Sequence, residues 1–310
     1  MDEPIPLLID TDPGVDDALA LLMAFRDPRH QLVGLTVAAG NVGLPHTVAN
    51  ALKLCEVAGV AVPVFAGCPV PLVHPAQDAA YVHGMDGFGD TGYTPARGQA
   101  QSEHAALAII RLAKAHAGRL LLVALGPLTN LALALRLDPS LPSRVARLVV
   151  MGGAVTGRGN TSVPAEFNIG FDPEAADVVF RGFARLDLVD WEAVLRHGFA
   201  HRDFEAWLDR GDARAHFYGE ISRQTRQWAE GKRGTHWHSA DALAMAAALA
   251  PEGIQRAEHR AVAVELEGRL SRGATVVDWA ERSGQPANAR IVMAYDQARF
   301  EALVQAALGA

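Results

Sequence analysis

The chain has 310 residues, half of them hydrophobic and a fifth charged, which suits a folded protein of one or two domains and excludes wholesale disorder. Acidic residues outnumber basic ones by 35 to 28, a net charge of −7, and there is no Lys/Arg block. That balance argues against a nucleic-acid polymer as partner.

In chain order, PLLID at residues 6–10 reads as a buried strand, followed by a helix that begins near Asp16 and runs through ALALLMAF. A second strand is predicted over 31–39. A helix follows over 45–58, with Pro45 suited to its first turn. After a short VPVF run, residues 67–102 are rich in Gly and Pro and show little periodicity. Such a long loop in a compact protein is usually functional. Strands recur at 119–125, 146–153 and 186–190, the last closing the series. Between them lie the helices GPLTNLALAL and DPEAADVVF, the second with Asp172 as cap and Pro173 at its first position. From residue 200 helices dominate until AVAVELEG and ATVVDW, two strands expected to pair at an edge.

Strand–helix alternation predicts an α/β fold, a single domain over 1–310 with an open, mostly parallel, Rossmann-like sheet flanked by helices. The segments 67–102 and 226–240 are predicted loops over a site. No membrane span is expected, because the uncharged stretches at 31–52 and 57–77 are interrupted by Gly, Asn and Pro. The start MDEPIP lacks the basic region of a signal peptide, and two cysteines, Cys55 and Cys68, fit a reducing compartment. The expected location is the cytoplasm.

The densest chemistry lies in DTDPGVDD, residues 10–17, four carboxylates where a strand ends and a helix starts. Ligands bind at that place in open parallel sheets. Helix capping accounts for Asp16 and Asp17 at most. It leaves Asp10 and Asp12, crowded like charges that raise one another's pKa. A bound cation relieves the repulsion, and an all-oxygen set selects Ca2+ or Mg2+ over zinc. Ca2+ is favoured, since protein oxygens and substrate hydroxyls together suit its high coordination number. His236 and His238 form the only close histidine pair, without the further spaced ligands of a zinc site.

The run DTDPGVDDALAL resembles the signature of the inosine–uridine-preferring nucleoside hydrolases. The resemblance continues in VAAGNV (37–42), VHGMDGFG (82–89), ALGPLTNLA (124–132), VMGG…GN…PAEFNIGFDPEAA (150–176) and, more weakly, HSADALAM (238–245), in the family's order. It implies hydrolysis of the N-glycosidic bond of ribonucleosides to ribose and free base, with Ca2+ at the bottom of the pocket, by a homodimer or homotetramer serving nucleoside salvage. Asp12 would be a metal ligand and also the base that deprotonates the attacking water. Asp17, the Leu125 carbonyl and Asp241 would complete the protein ligands, with Asp10 supporting them from behind. Asp16, Asn41, Asn160, Glu166 and Asn168 would hold the ribose, and His83 and Met151 match pocket positions. The residue types suit the chemistry, because cleavage builds positive charge on C1′ that a carboxylate-rich floor stabilises. Amides and carboxylates can both orient hydroxyls. Taken alone, Asn41 and Asn160, each beside a glycine, read as turn residues, Met151 as core and His83 as structural.

One departure stands out. Members that cleave inosine and uridine often carry a histidine just before the calcium-binding aspartate of the C-terminal block, where it protonates the leaving base; here that residue is Ala240. His236 or His238 could supply the proton, or Trp228 or Trp237 could stack on the base. A phosphatase of the haloacid-dehalogenase type shares DTD but not the PGVDD that follows it. The remaining alternatives are a non-catalytic nucleoside or ribose sensor and a hydrolase of a modified N-riboside.

Overall fold

β1 (Ile5–Thr11) is apolar for most of its length and buried from Pro6 onward, as a central strand covered on both faces must be. The computed structural model describes residues 3–75 and 77–310, Arg233 by its backbone alone. From β1 the chain passes through α1 (Val15–Arg26), β2 (His30–Val37), α2 (Leu44–Ala58) and β3 (Val64–Ala66). After α3 (Ala80–His83) and α4 (Ala105–Ala115) it returns to the other side of β1 as β4 (Leu120–Ala124). Then come α5 (Thr129–Leu137), β5 (Val145–Met151), α6 (Phe167–Phe171), α7 (Pro173–Gly182) and β6 (Leu186–Val189). The expected start of α7 is present: Asp172 accepts the Ala175 N–H and Pro173 occupies the first turn.

The rest of the chain forms α8 (Trp191–Val194), β7 (Phe199–Ala200), α9 (His201–Arg210), α10 (Ala213–Arg233), β8 (His236–Trp237) and α11 (Ala240–Leu249). Next are β9 (Ile254–Arg260), β10 (Val262–Val264), β11 (Thr275–Val277), β12 (Ala289–Tyr295) and α12 (Gln297–Leu308). The main sheet has eight strands in the order β3-β2-β1-β4-β5-β6-β12-β9, parallel except for the β12–β9 pair at one edge. This is one α/β domain. Side chains alternate across the sheet: Leu7 and Ile9 enter a layer with α1, α11 and α12, while Leu8 enters the layer with α4, α5 and α7. Every residue of α11 is buried, as a helix apolar all round must be. Among the described residues no helix is long and apolar enough to cross a membrane.

The strand at 186–190 does not close the sheet, because β12 pairs beside it in parallel and β9 adds the edge. AVAVELEG and ATVVDW pair with each other, but as the separate antiparallel ribbon β10–β11 rather than on the main sheet. Residues 226–233 are the end of α10, not loop. TRQWAEGKR contains no proline, and its Arg, Gln, Ala, Glu and Lys all favour helix.

Candidate active site

Strand order reverses at β1, which has β2 on one side and β4 on the other. The crevice at the carboxyl ends of such strands is the ligand site of open α/β sheets. There β1 gives way to the turn Asp12-Pro13-Gly14 and then to α1. The Leu125 N–H donates to the Asp10 carbonyl at 2.8 Å, and the Asn50 amide donates to the Pro13 carbonyl at 2.9 Å. Asn41 clamps the turn from above, its backbone N–H on Asp12 Oδ2 (2.7 Å) and its side-chain amide on Asp17 Oδ2 (2.9 Å). Asp17 also accepts from Thr11 Oγ1 at 2.5 Å and from the Gly14 N–H at 3.0 Å. The turn is thus fixed by its own acids.

Asp16 and Asp17, in the first turn of α1, meet Asp241, in the first turn of α11, with carboxylate oxygens within 4.8 Å of one another. Burial, with the Asp17 charge next, pushes Asp12 well above the usual carboxylate range; burial, with Asp16 next, does the same to Asp241. Asp17 is pushed up to about 6 by burial and the Asp16 charge. Asp10 accepts from Thr36 Oγ1 (2.6 Å) and Asn130 Nδ2 (2.9 Å), yet burial takes it to about 7. His83 Nε2 approaches Asp16 Oδ1 at 4.0 Å. Carboxylates so crowded hold protons or a hard cation. Asp12 Oδ1 is buried with no hydrogen-bond partner among the described residues, an oxygen still open to a ligand. An all-oxygen donor set of this kind fits Ca2+ or Mg2+.

Beside the cluster lies a cavity of about 200 Å3, lined by Asp16, Asp241, Leu125 and Met151 among others. Asp10, Asp12 and Asp17 are not among the lining residues. Asn41, Asn160, Glu166 and Asn168 all face the cavity, and each also holds backbone. Glu166 caps α6, accepting the N–H groups of Asn168 (2.9 Å), Ile169 (3.2 Å) and Gly153 (3.0 Å), and burial takes it to about 7. Asn168 Nδ2 donates to the carbonyls of Leu125 (2.6 Å) and Met151 (3.2 Å). Asn160 is exposed and accepts the Phe167 N–H at 2.8 Å.

The remaining wall includes His83 of α3, Trp228 of α10, and Trp237, His238 and Ala240. Trp237 is 3% exposed and packs against Phe204. Trp228 is half-buried and lies under the Lys232 ammonium at 5.3 Å. His236 is exposed and does not line the cavity. Tyr81, Thr225, Phe167 and Trp191 line it as well and were not expected from sequence. Trp191 follows the carboxyl end of β6, as Asp12 follows β1, and that position was the available signal. Tyr81 and Thr225 carry no such signal, since only the docking of α3 on α10 brings them to the cavity.

A family model described as inosine-uridine preferring nucleoside hydrolase matches residues 7–302. The chain is 37% identical over 277 residues to a protein from Oryza sativa subsp. japonica named probable uridine nucleosidase 1, covering 88% of this chain and 84% of that one. It is 37% identical over 290 residues to the non-specific ribonucleoside hydrolase RihC of Salmonella enteritidis, covering 94% and 93%. Among solved structures, the plant nucleoside hydrolase PpNRh1 superposes with a TM-score of 0.92 at 30% identity, covering 99% of this chain and all of that one.

Proposed function

The chain belongs to the inosine-uridine preferring nucleoside hydrolase family and is a nucleoside hydrolase, and from that premise we propose how its own residues cut the bond. In this reading it splits ribonucleosides into ribose and free base, with Ca2+ as cofactor, in the cytoplasm and as a homo-oligomer. The observation that carries it is the meeting of Asp16, Asp17 and Asp241, from two distant helices, beside a cavity lined with amides.

Asp12, Asp17, Asp241 and the Leu125 carbonyl would hold the ion. Bound there, Ca2+ supplies positive charge that acidifies the attacking water and fixes the ribose hydroxyls. Asp12 takes the proton from that water on Oδ1, since its Oδ2 is engaged by the Asn41 N–H. Asp16 and Asn41 face the sugar, and the surrounding carboxylates stabilise the positive charge that develops at C1′. His238 lines the cavity and would protonate the leaving base.

The test is ribose release from inosine, adenosine, guanosine, uridine, cytidine and 2′-deoxyinosine, with and without a chelator. The expected result is chelator-sensitive release from ribonucleosides and much slower release from the deoxy analogue. Release that ignores the chelator would remove the cation from the reading.

A further inference from the structure

α1 begins without a capping side chain of its own, because its cap residue is Gly14. The first helical N–H, that of Val15, is instead taken by His83 Nδ1 at 3.1 Å, from 68 residues along the chain. Gly14 is required for this contact. A Cβ there would stand 2.8 Å from His83 Nδ1 and 2.9 Å from Asn41 Nδ2. With Nδ1 accepting, the neutral ring carries its proton on Nε2, and that nitrogen faces Asp16 Oδ1 at 4.0 Å. His83 is 7% exposed, and the segment that bears it is tied down on several sides. The Ala79 N–H donates to the Asn41 carbonyl (2.9 Å), Thr225 Oγ1 of α10 to the Val82 carbonyl (2.8 Å), and Asn50 Nδ2 bridges the carbonyls of Pro13 and Asp86 (2.9 Å each). Residues 79–90 therefore grip the catalytic turn rather than hang over it.

We propose that His83 is a positioning residue: Nδ1 caps α1 through the Val15 N–H and Nε2–H faces Asp16, so that segment 79–90 sets where Asp16 presents its carboxylate to the sugar. This rests on the proposed ribose contact of Asp16. The capping geometry itself stands independently of turnover. The side chain does its work through Asp16 and α1, without needing to touch the base.

Two measurements decide it. Long-range 15N–1H correlation of histidine-labelled protein, with His83 identified by its loss in His83→Asn, reads the tautomer directly. An unprotonated Nδ1 and a protonated Nε2 are expected; a proton on Nδ1 overturns the proposal whether or not the enzyme is active. The second measurement compares kcat and KM on the best ribonucleoside and on its 2′-deoxy analogue. His83→Leu removes both contacts, and a misplaced sugar contact should lower kcat/KM on the ribonucleoside by about tenfold to a hundredfold, chiefly through KM, while narrowing the ribo-to-deoxy preference. His83→Asn keeps an acceptor near the Nδ1 position and should recover part of that loss. Unchanged constants and preference in a folded His83→Leu protein overturn the proposal. Absence of ribose release by the wild-type protein counts instead against the proposed reaction, and leaves the tautomer measurement to decide His83.

Discussion

Gly126 leaves Asp12 the space that its carboxylate fills: a Cβ on Gly126 would stand 2.8 Å from Asp12 Cγ and closer still to Oδ1. Gly40 bounds the other side of the same carboxylate at the same 2.8 Å from Cγ. A real Cβ cannot sit so near, so Gly126→Ala must turn Asp12 off its line. The expected loss in kcat/KM is about a hundredfold with the fold retained by circular dichroism, because misplacing a reacting group by about 1 Å can cost that much. Turnover within twofold of wild type would mean that Asp12 does not act on the reacting water.

Asp12→Asn removes the proposed proton acceptor while keeping the shape and the hydrogen bond from the Asn41 N–H. Loss of a general base costs about 10²–10⁴ in kcat. KM is expected to change less than kcat, because the amide keeps an oxygen for the ion and Asp17, Asp241 and the Leu125 carbonyl still hold it in this reading. Calorimetric titration with a nucleoside checks the second half of the prediction: binding that vanishes along with turnover would assign Asp12 to the substrate or the fold.

Much of this was legible in the chain because the signals are local. Buried strands such as β1 read as unbroken apolar runs, and Asp172-Pro173 announces α7 within two residues. The acidic run at 10–17 marks the switch point of the sheet before any pairing is known. What failed is non-local. The alternation in β12 does not say that it crosses back to lie beside β6, and β10–β11 are too short to reveal which sheet they join. The meeting of Asp241 with Asp16 and Asp17 depends on α11 packing across α1, which no spacing encodes, and it was anticipated through the family resemblance alone. The Val15–His83 cap was hidden for the same reason: the sequence offers Asp16 and Asp17 as caps, whereas the helix starts at Val15 behind Gly14 and takes its acceptor from residue 83.

Stability of the metal-free protein should fall as pH rises from about 4 to about 7. Asp10 and Glu166 stand near 7, and Asp17 and Asp190 near 6, all raised chiefly by burial above unfolded values near 4. In that window the folded state binds more protons than the unfolded one, so their contribution is complete below the unfolded pKa and disappears through the folded pKa. A cation held at Asp17 and Asp241, as proposed, would take the place of the protons on those two carboxylates. Ca2+ should therefore raise Tm more at pH 8 than at pH 5, measured by scanning fluorimetry against a chelated control. A chelated protein as stable at pH 8 as at pH 5 would contradict the prediction.

His238 and Ala240 both line the cavity, and the leaving base needs a proton that Ala240 cannot give. If His238 supplies it, the effect of His238→Ala must depend on the leaving group. A purine or pyrimidine departs poorly as an anion, so kcat on inosine or uridine should fall about a hundredfold or more. p-Nitrophenolate is a stable anion near neutral pH, so hydrolysis of p-nitrophenyl β-D-ribofuranoside should be unaffected. Equal losses on both substrates would place His238 in sugar binding or in the fold, where its ring occupies the space left by Gly198. Adding Ala240→His to the His238→Ala protein offers an imidazole from another position on the same wall. Recovery on the nucleoside, with the aryl riboside unmoved, would show that the cavity asks for a proton at the base and tolerates two addresses for its donor.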